Sequence, residues 1–492
     1  MFSNAAGKKA PASLPLGRRA LGSAAAAAVA AARAASPAAQ AAPIGPLRTP
    51  RGGRYFARPD GRALYLAGVH SWTNLQDMGA EDPPAPFDYA AYLDYLAAQG
   101  NNLIRLWNWD SPLVWEDQGF RYIAPLPYRR TGPGSGALGK PRYDLTRFDP
   151  AYFDRLRARA EAASARGLYV SVMLWNSWSL HNYFSEPAHS PWPNHPFHRD
   201  NNVNGIDGDP ERNGDGARLQ TLADPAVTAL QHAYLRKVVE TVGDLDNILY
   251  EITNEALADA PTAAWQYHMI GYLKGLQGNG THPHPVGMTG GFRPAVEASN
   301  AQLLISGADW ISFSGHVPED REEPPEAPQA RISVLDTDHV FGVGGDALWV
   351  WRGFLRGHNL LYMDTLIGLG IRGLMVDTLD EPRLAAQRAG RIGIRGTRAA
   401  ADLVQDMAGM EPHGGLSRTG PVLADRGRAY VALAERGALE LDLSHAAGQR
   451  LACRWIAVET AEMQDGGIVP GGGLGRFAPP FLPAALVLTR AA

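Results

Sequence analysis

Between about residues 63 and 410, short apolar runs alternate with stretches whose apolar residues recur every three to four positions. These are the strand and helix periods of a parallel α/β sheet. Eight runs read as strands. The first, 63–68, runs on into Val69, His70, Ser71 and Trp72. The second, 102–107, leads into Asn108, Trp109 and Asp110. The third, 168–174, leads into Trp175, Asn176, Ser177 and Trp178. The fourth is 248–252, followed by Asn254 and Glu255, and the fifth is 285–289. The sixth is 310–314, ending at His316. The seventh is 331–339, holding Asp336, Asp338 and His339, and the eighth is 360–364, ending in Asp364.

Between the strands, Tyr89, Tyr92, Leu93 and Leu96 lie at helical spacing and Gly100 closes that helix. Asp149-Pro150 and Asp224-Pro225 each pair a capping residue with proline in the first turn. Residues 347–356 read as a short Trp-bearing helix and 388–407 as the closing one. Eight strands with helical returns predict a (β/α)8 TIM barrel over residues 42–410. Beyond 411 the texture changes. Runs at 429–434, 438–443, 450–458 and 484–489, separated by Gly-rich turns, predict a small β-sandwich over 411–492.

The first 41 residues read as an export signal rather than as fold. Lys8, Lys9, Arg18 and Arg19 precede an Ala-rich run that is too short and weakly apolar to span a bilayer, and Ala39-Gln40-Ala41 fits a cleavage site. The Arg18-Arg19 pair suggests twin-arginine export. The expectation is a secreted or periplasmic protein without stable membrane insertion. Its one cysteine, Cys453, cannot form an intrachain disulfide. A formal net charge of −4, with no basic run after the leader, argues against a nucleic-acid partner.

In a barrel of this kind the C-terminal strand ends wall the active site. Two carboxyl groups on opposite sides of that rim suit glycosidic cleavage, one as proton donor and one as nucleophile. Glu255 on strand four is the candidate acid, and Asp336 or Asp338 on strand seven the candidate nucleophile. Strand alternation would aim both aspartates at one face. Arg105 would keep the nucleophile ionised, and Asn254 would bind the sugar 2-hydroxyl. His70, Trp72, Trp107, Trp109, Trp175, Asn176, Trp178 and His316 would form a sugar-binding floor. Trp349 and Asp364 are further candidates beside it. The partner is then an oligo- or polysaccharide, with neither cofactor nor metal required.

The long excursion over 179–222 reads as a wall or lid. Its histidines, His181, His189, His195 and His198, match no zinc spacing and read as solvated. Asp207 and Asp209 offer oxygen ligands for calcium without the full loop pattern. Two other readings stay open: a non-catalytic carbohydrate-binding barrel, and a metal-dependent hydrolase using Asp336, Asp338 and His339.

Tyr250-Glu251-Ile252-Thr253-Asn254-Glu255 is similar to the strand-four ending of clan A glycoside hydrolases. In those enzymes the Glu of an Asn-Glu pair is the acid/base and the nucleophile, normally Glu, ends strand seven. More closely, the chain resembles uncharacterised bacterial cellulase-like barrels with a C-terminal β-sandwich of the collagen-binding type. In some related barrels strand seven reads Val-Leu-Asp-Gly-Glu with a catalytic Glu. Val334-Leu335-Asp336-Thr337-Asp338 lines up with it and puts Asp338 at the nucleophile position. The sandwich resemblance rests on Arg428-Ala429-Tyr430-Val431, Leu439-Glu440-Leu441-Asp442-Leu443, Trp455 and Gln464-Asp465-Gly466-Gly467. Together the resemblances cover residue 54 to the end and imply a retaining glycosidase of unspecified sugar. Collagen binding is not carried over from the sandwich.

Overall fold

Eight strands pair in parallel as a nearly closed barrel in a computed structural model that describes residues 44–491, apart from 117–118, 181–185, 279–282, 292–295, 316–317 and 377. The segment read as an export signal, His181 and His316 therefore lie outside the described residues. The strands are β1 (Ala67–His70), β2 (Leu103–Leu106), β3 (Tyr169–Asn176), β4 (Ile248–Asn254), β5 (Val286–Thr289), β6 (Trp310–Ser312), β7 (Ile332–Asp336) and β8 (Asn359–Met363), in the order β1-β8-β7-β6-β5-β4-β3-β2. β1 meets β2 through Asn102, whose backbone N–H donates to the Ala67 carbonyl and whose Oδ1 accepts from the Ala67 N–H. A Cβ on Gly68 would stand 1.7 Å from the Leu103 carbonyl oxygen, so only glycine lets the two strands approach this closely.

Strand alternation sorts the side chains into layers. Val170, Val172, Leu174, Ile248, Tyr250 and Ile252 join the apolar cluster shared with the helices. Leu103, Tyr169, Leu249, Trp310, Ile332 and Leu361 form a second cluster with Leu47 and Phe56 of the N-terminal segment. One turn further up on the same strand faces stand Arg105, Glu251 and Asp336. The interior thus passes from apolar to ionic toward the C-terminal rim.

The helices used below are α1 (Tyr89–Ala98), α2 (Pro150–Ser164), α3 (Pro225–Val242), α4 (Ala260–Gln277), α5 (Val296–Ile305), α6 (Asp338–Phe341), α7 (Ala347–Leu355) and α8 (Glu381–Val404). Asp149, Asp224, Asp259, Asp346 and Asp380 cap α2, α3, α4, α7 and α8 through their carboxylates.

Several boundaries differ from the sequence expectation. Residues 63–64 leave the first strand and pair antiparallel with Phe56–Ala57. The closing helix begins at Glu381 rather than 388, because Asp380 supplies its cap. The seventh strand stops at Asp336. Thr337 is already helical in its backbone and Asp338 opens α6, so alternation does not relate the two aspartates. The stretch between β1 and α2 also carries a three-stranded antiparallel sheet (Asp77–Gly79, Leu113–Glu116, Gly119–Ala124) and a hairpin (Tyr128–Ser135, Pro141–Phe148) that hydrophobic periodicity did not disclose.

From Glu411 onward a six-stranded antiparallel sheet packs against the pair Leu439–Asp442 and Leu474–Phe477 as a small sandwich. Tyr430, Trp455, Leu486 and Leu488 face that pair. Val431, Leu433, Ile456 and Val487, on the opposite face, share one apolar cluster with Ile394, Ala401 and Val404 of α8. Arg352 of α7 forks onto Glu435 with contacts of 2.9 and 2.7 Å. No helix of the described residues is long and apolar enough to cross a membrane.

Candidate active site

The rim is built on one buried cation. Arg105 of β2, 1% exposed, donates through Nε to Glu251 Oε2 at 2.8 Å and through Nη2 to Glu251 Oε1 and to Asn254 Oδ1, the latter at 2.8 Å. Its Nη1 reaches Asp336 Oδ2 at 3.2 Å and lies 4.0 Å from Asp338 Oδ2. Burial disfavours the charged guanidinium, but Glu251 and Asp336 outweigh it and hold Arg105 ionised. Glu251 takes the largest share of Arg105. It escaped the sequence reading because it sits inside an otherwise apolar strand.

Asp336 is held on three sides. Its Oδ1 meets His70 Nε2 at 2.9 Å and accepts the Asp338 N–H at 3.0 Å, and its Oδ2 meets Arg105. Burial pushes this carboxyl up, yet His70 first and then Arg105 drive it well below the ordinary carboxylate range. Asp338 behaves oppositely. Burial, then the Glu255 and Asp336 charges, push it well above that range against the pull of Arg105.

Glu255 follows the last residue of β4 with a φ of +44°, a left-handed conformation that is costly for a non-glycine residue. Its Oε2 accepts the indole N–H of Trp178. Glu255 and Asp338 line one pocket of about 320 Å³ together with Trp72, Trp107, Trp178, Glu116, Arg321 and Phe341. One oxygen from each carboxyl and a ring nitrogen of His339 lie within 4.8 Å of one another. This trio has the composition of a cation site. However, His339 already meets Ser312 Oγ at 3.1 Å through Nδ1 and Asn254 Oδ1 at 3.1 Å through Nε2.

The remaining candidates divide. Trp72, Trp107 and Trp178 stand in the pocket wall as expected. His70 does not reach the mouth. It is fully buried, stacked on Trp107 at 5.7 Å and bound to Asp336. Trp109 is buried behind that wall with its indole N–H on the Trp72 carbonyl. Trp175 turns away and packs on Tyr234 of α3 and Trp265 of α4, at ring distances of 5.6 and 5.2 Å. Trp349 is buried behind Phe341, with its indole N–H on the Asp320 carbonyl. Asp364 is fully buried in a two-point ion pair with Arg391 of α8, at 2.5 and 2.7 Å, so it has a structural partner in place of a sugar.

Asn254 is likewise buried. Its oxygen is taken by Arg105 and His339, and its Nδ2 donates to Asn176 Oδ1 at 3.3 Å. Asn176 and Asn254 are register partners on β3 and β4 and brace the rim instead of meeting solvent. In the 179–222 excursion, His195 is buried rather than solvated, and burial lowers it to about 3. Asp207 pairs with Arg212 at 2.8 Å, and Asp209 accepts the Asn213 and Gly214 N–H groups at 2.9 and 2.7 Å. Glu116 and Arg321 are pocket residues that the sequence reading missed, because both sit on insertions outside the strand–helix rhythm.

A protein-family profile described as a domain of unknown function (DUF6298) matches residues 119–268, a span that holds β3, β4 and Glu255 but ends before Asp338. No curated protein matches the chain in sequence. Among solved structures, the chain is similar to a glycoside hydrolase family 5 protein from Bacteroides vulgatus, with a TM-score of 0.57, 11% identity, and coverage of 92% of this chain and 95% of that one. It is also similar to a protein titled glycoside hydrolase, with a TM-score of 0.53, 13% identity, and coverage of 90% and 97%. At these identities the likeness establishes the fold, a (β/α)8 barrel of the kind those proteins share.

Proposed function

We propose that the protein is a glycoside hydrolase that cleaves O-glycosidic bonds with retention, Glu255 serving as acid/base and Asp338 as nucleophile. The observation that carries this reading is that one oxygen of Glu255 and one of Asp338 lie within 4.8 Å of each other in a Trp-walled pocket. Retaining glycosidases hold their carboxyl groups about 5–5.5 Å apart, whereas inverting ones need about 6.5–9.5 Å for an intervening water. Two like charges this close and this buried share one proton at neutral pH, which is the protonation state the reaction requires. Burial and the Glu255 charge raise the Asp338 carboxyl, and Arg105, 4.0 Å away, pulls it back toward the ionised form that the reaction requires, with the proton on Glu255.

In the first step an Asp338 oxygen bonds to the anomeric carbon as the glycosidic C–O bond breaks, and Glu255 gives its proton to the departing oxygen. In the second step Glu255 takes a proton from water, the water oxygen bonds to the anomeric carbon, and the bond to Asp338 breaks. Trp72, Trp107 and Trp178 offer stacking faces for the sugar. Export by the leader belongs to the same proposal. The metal-dependent alternative was read from Asp336, Asp338 and His339; Asp338 and His339 instead group with Glu255, and cation binding there would cost His339 one of its two present hydrogen bonds.

The test is a panel of aryl and natural glycosides with wild type and Glu255→Gln. Wild type should turn over at least one neutral glycoside, and the variant should lose about 10²–10⁴-fold on unactivated substrates. Wild-type-like turnover by Glu255→Gln would remove the assignment, and binding without turnover across the panel would favour the non-catalytic alternative.

A further inference from the structure

Asp110 takes no part in the chemistry above, yet its carboxylate is engaged at the back of the acid/base. Oδ1 accepts from Asn108 Nδ2 at 2.7 Å and Oδ2 accepts from the Asn176 N–H at 2.8 Å. Its own N–H donates to Ser179 Oγ at 2.8 Å. Asn176 and Ser179 bracket the helical turn Ser177–Ser179, which carries Trp178. Asn176 Oδ1 caps that turn by accepting the Trp178 N–H at 3.2 Å, and the Trp178 indole then reaches Glu255.

Asp110 therefore grips both ends of the turn that presents a hydrogen-bond donor to Glu255. Around it among the described residues stand Tyr128, Tyr234 and His195, which line one small cavity with it, and Tyr152, which donates to Asn108. All four are neutral at pH 7, because burial pushes the tyrosines up and His195 down. Burial also pushes Asp110 up to about 7, against its hydrogen bonds from Asn176 and Asn108.

We propose that Asp110 is a positioning residue: it holds the Trp178 turn so that the indole N–H stays on the Glu255 carboxylate. The inference rests on the glycosidase reading for its catalytic meaning, although the geometry is independent of it. A donor on a carboxylate favours the ionised form. Loosening the turn should therefore raise the pH at which Glu255 titrates.

The experiment is a ¹³C carboxylate NMR titration of Glu255 in the full chain, its signal assigned by Glu255→Gln. Asp110→Ala and Trp178→Phe should each raise the Glu255 titration by a similar amount, about half a pH unit or more, and the double variant should add nothing further. Ser179→Ala, which removes the other end of the grip, should move it the same way and decides the matter if Asp110→Ala does not fold. Asp110→Asn, which keeps an acceptor for the Asn176 N–H, should restore most of the wild-type value. An unmoved Glu255 in folded Asp110→Ala or in Ser179→Ala, or effects that add in the double variant, would overturn the proposal. This readout survives even if no glycoside is turned over. Where turnover is found, the limb of the pH–rate profile that reports Glu255 should move up in Asp110→Ala along with the NMR titration.

Discussion

The backbone N–H of Asp338 donates to the carboxylate of Asp336 at 3.0 Å. That bond turns the chain out of β7 into α6 and gives the two aspartates opposite environments. Asp336 is sealed beneath the rim with His70 and Arg105, and Asp338 faces Glu255. Asp336→Ala should therefore destabilise the fold by about 3–5 kcal/mol, because Arg105 would lose a buried partner and α6 its anchor. Asp338→Ala should cost far less. Urea unfolding of the two variants checks the contrast.

Asp338 itself should be a stability burden. Its carboxyl titrates above the ordinary value of 3.8 in the folded chain, so the folded state binds its proton more tightly than the unfolded state does. Stability from this group is fully present below about pH 4 and falls as pH rises toward the folded value. Asp338→Asn should raise Tm at pH 7 while abolishing turnover, and the gain should shrink toward pH 4. Thermal melts across that range provide the measurement.

Asp336 supplies the opposite slope. Its folded titration lies below 3.8, so its contribution is present at neutral pH and is lost as pH falls through the folded value. Asp336→Asn should accordingly flatten the acid limb of the wild-type stability curve. Denaturant midpoints taken from pH 6 downward would show it.

The tryptophans should separate into two classes. Trp72→Ala and Trp107→Ala, in the pocket wall, should weaken substrate binding and raise KM. Trp175→Ala, packed on Tyr234 and Trp265, should leave KM alone and cost about 3–5 kcal/mol of stability through the cavity it opens. Steady-state kinetics beside urea unfolding would distinguish the classes.

Much of this division was not legible in the sequence, for physical reasons. Apolar runs, aspartate caps and glycine stops marked the strands and helices, because those signals are local. A strand-end position says that a residue is near the rim, but not which way its side chain turns. Trp175 went to the helices because Trp265 and Tyr234 leave it a slot there. Asp364 went to Arg391, far along the chain in α8. Asp338 left the strand through a contact with Asp336 that no periodicity encodes. Glu116 and Arg321 entered the pocket from insertions that carry no period at all.

The sandwich should prove inseparable from the barrel. Val431, Leu433, Ile456 and Val487 belong to the same apolar cluster as α8, and Glu435 holds Arg352. Truncation after residue 410 would expose that face to water at a cost of about 25 cal/mol per Å² of apolar surface. The shortened chain should be insoluble or melt well below the full one, as expression and thermal melts would reveal.

The central claim is that Asp338 forms the glycosyl-enzyme while Glu255 manages the proton. It is tested most directly by trapping with a 2-deoxy-2-fluoro glycoside of whichever sugar the panel identifies, followed by intact mass and peptide mapping. One glycosyl adduct on Asp338, accumulating in wild type and absent from Asp338→Asn, is the predicted result. An adduct on Asp336 or Glu116, or inverted product from an active enzyme that never traps, would contradict it.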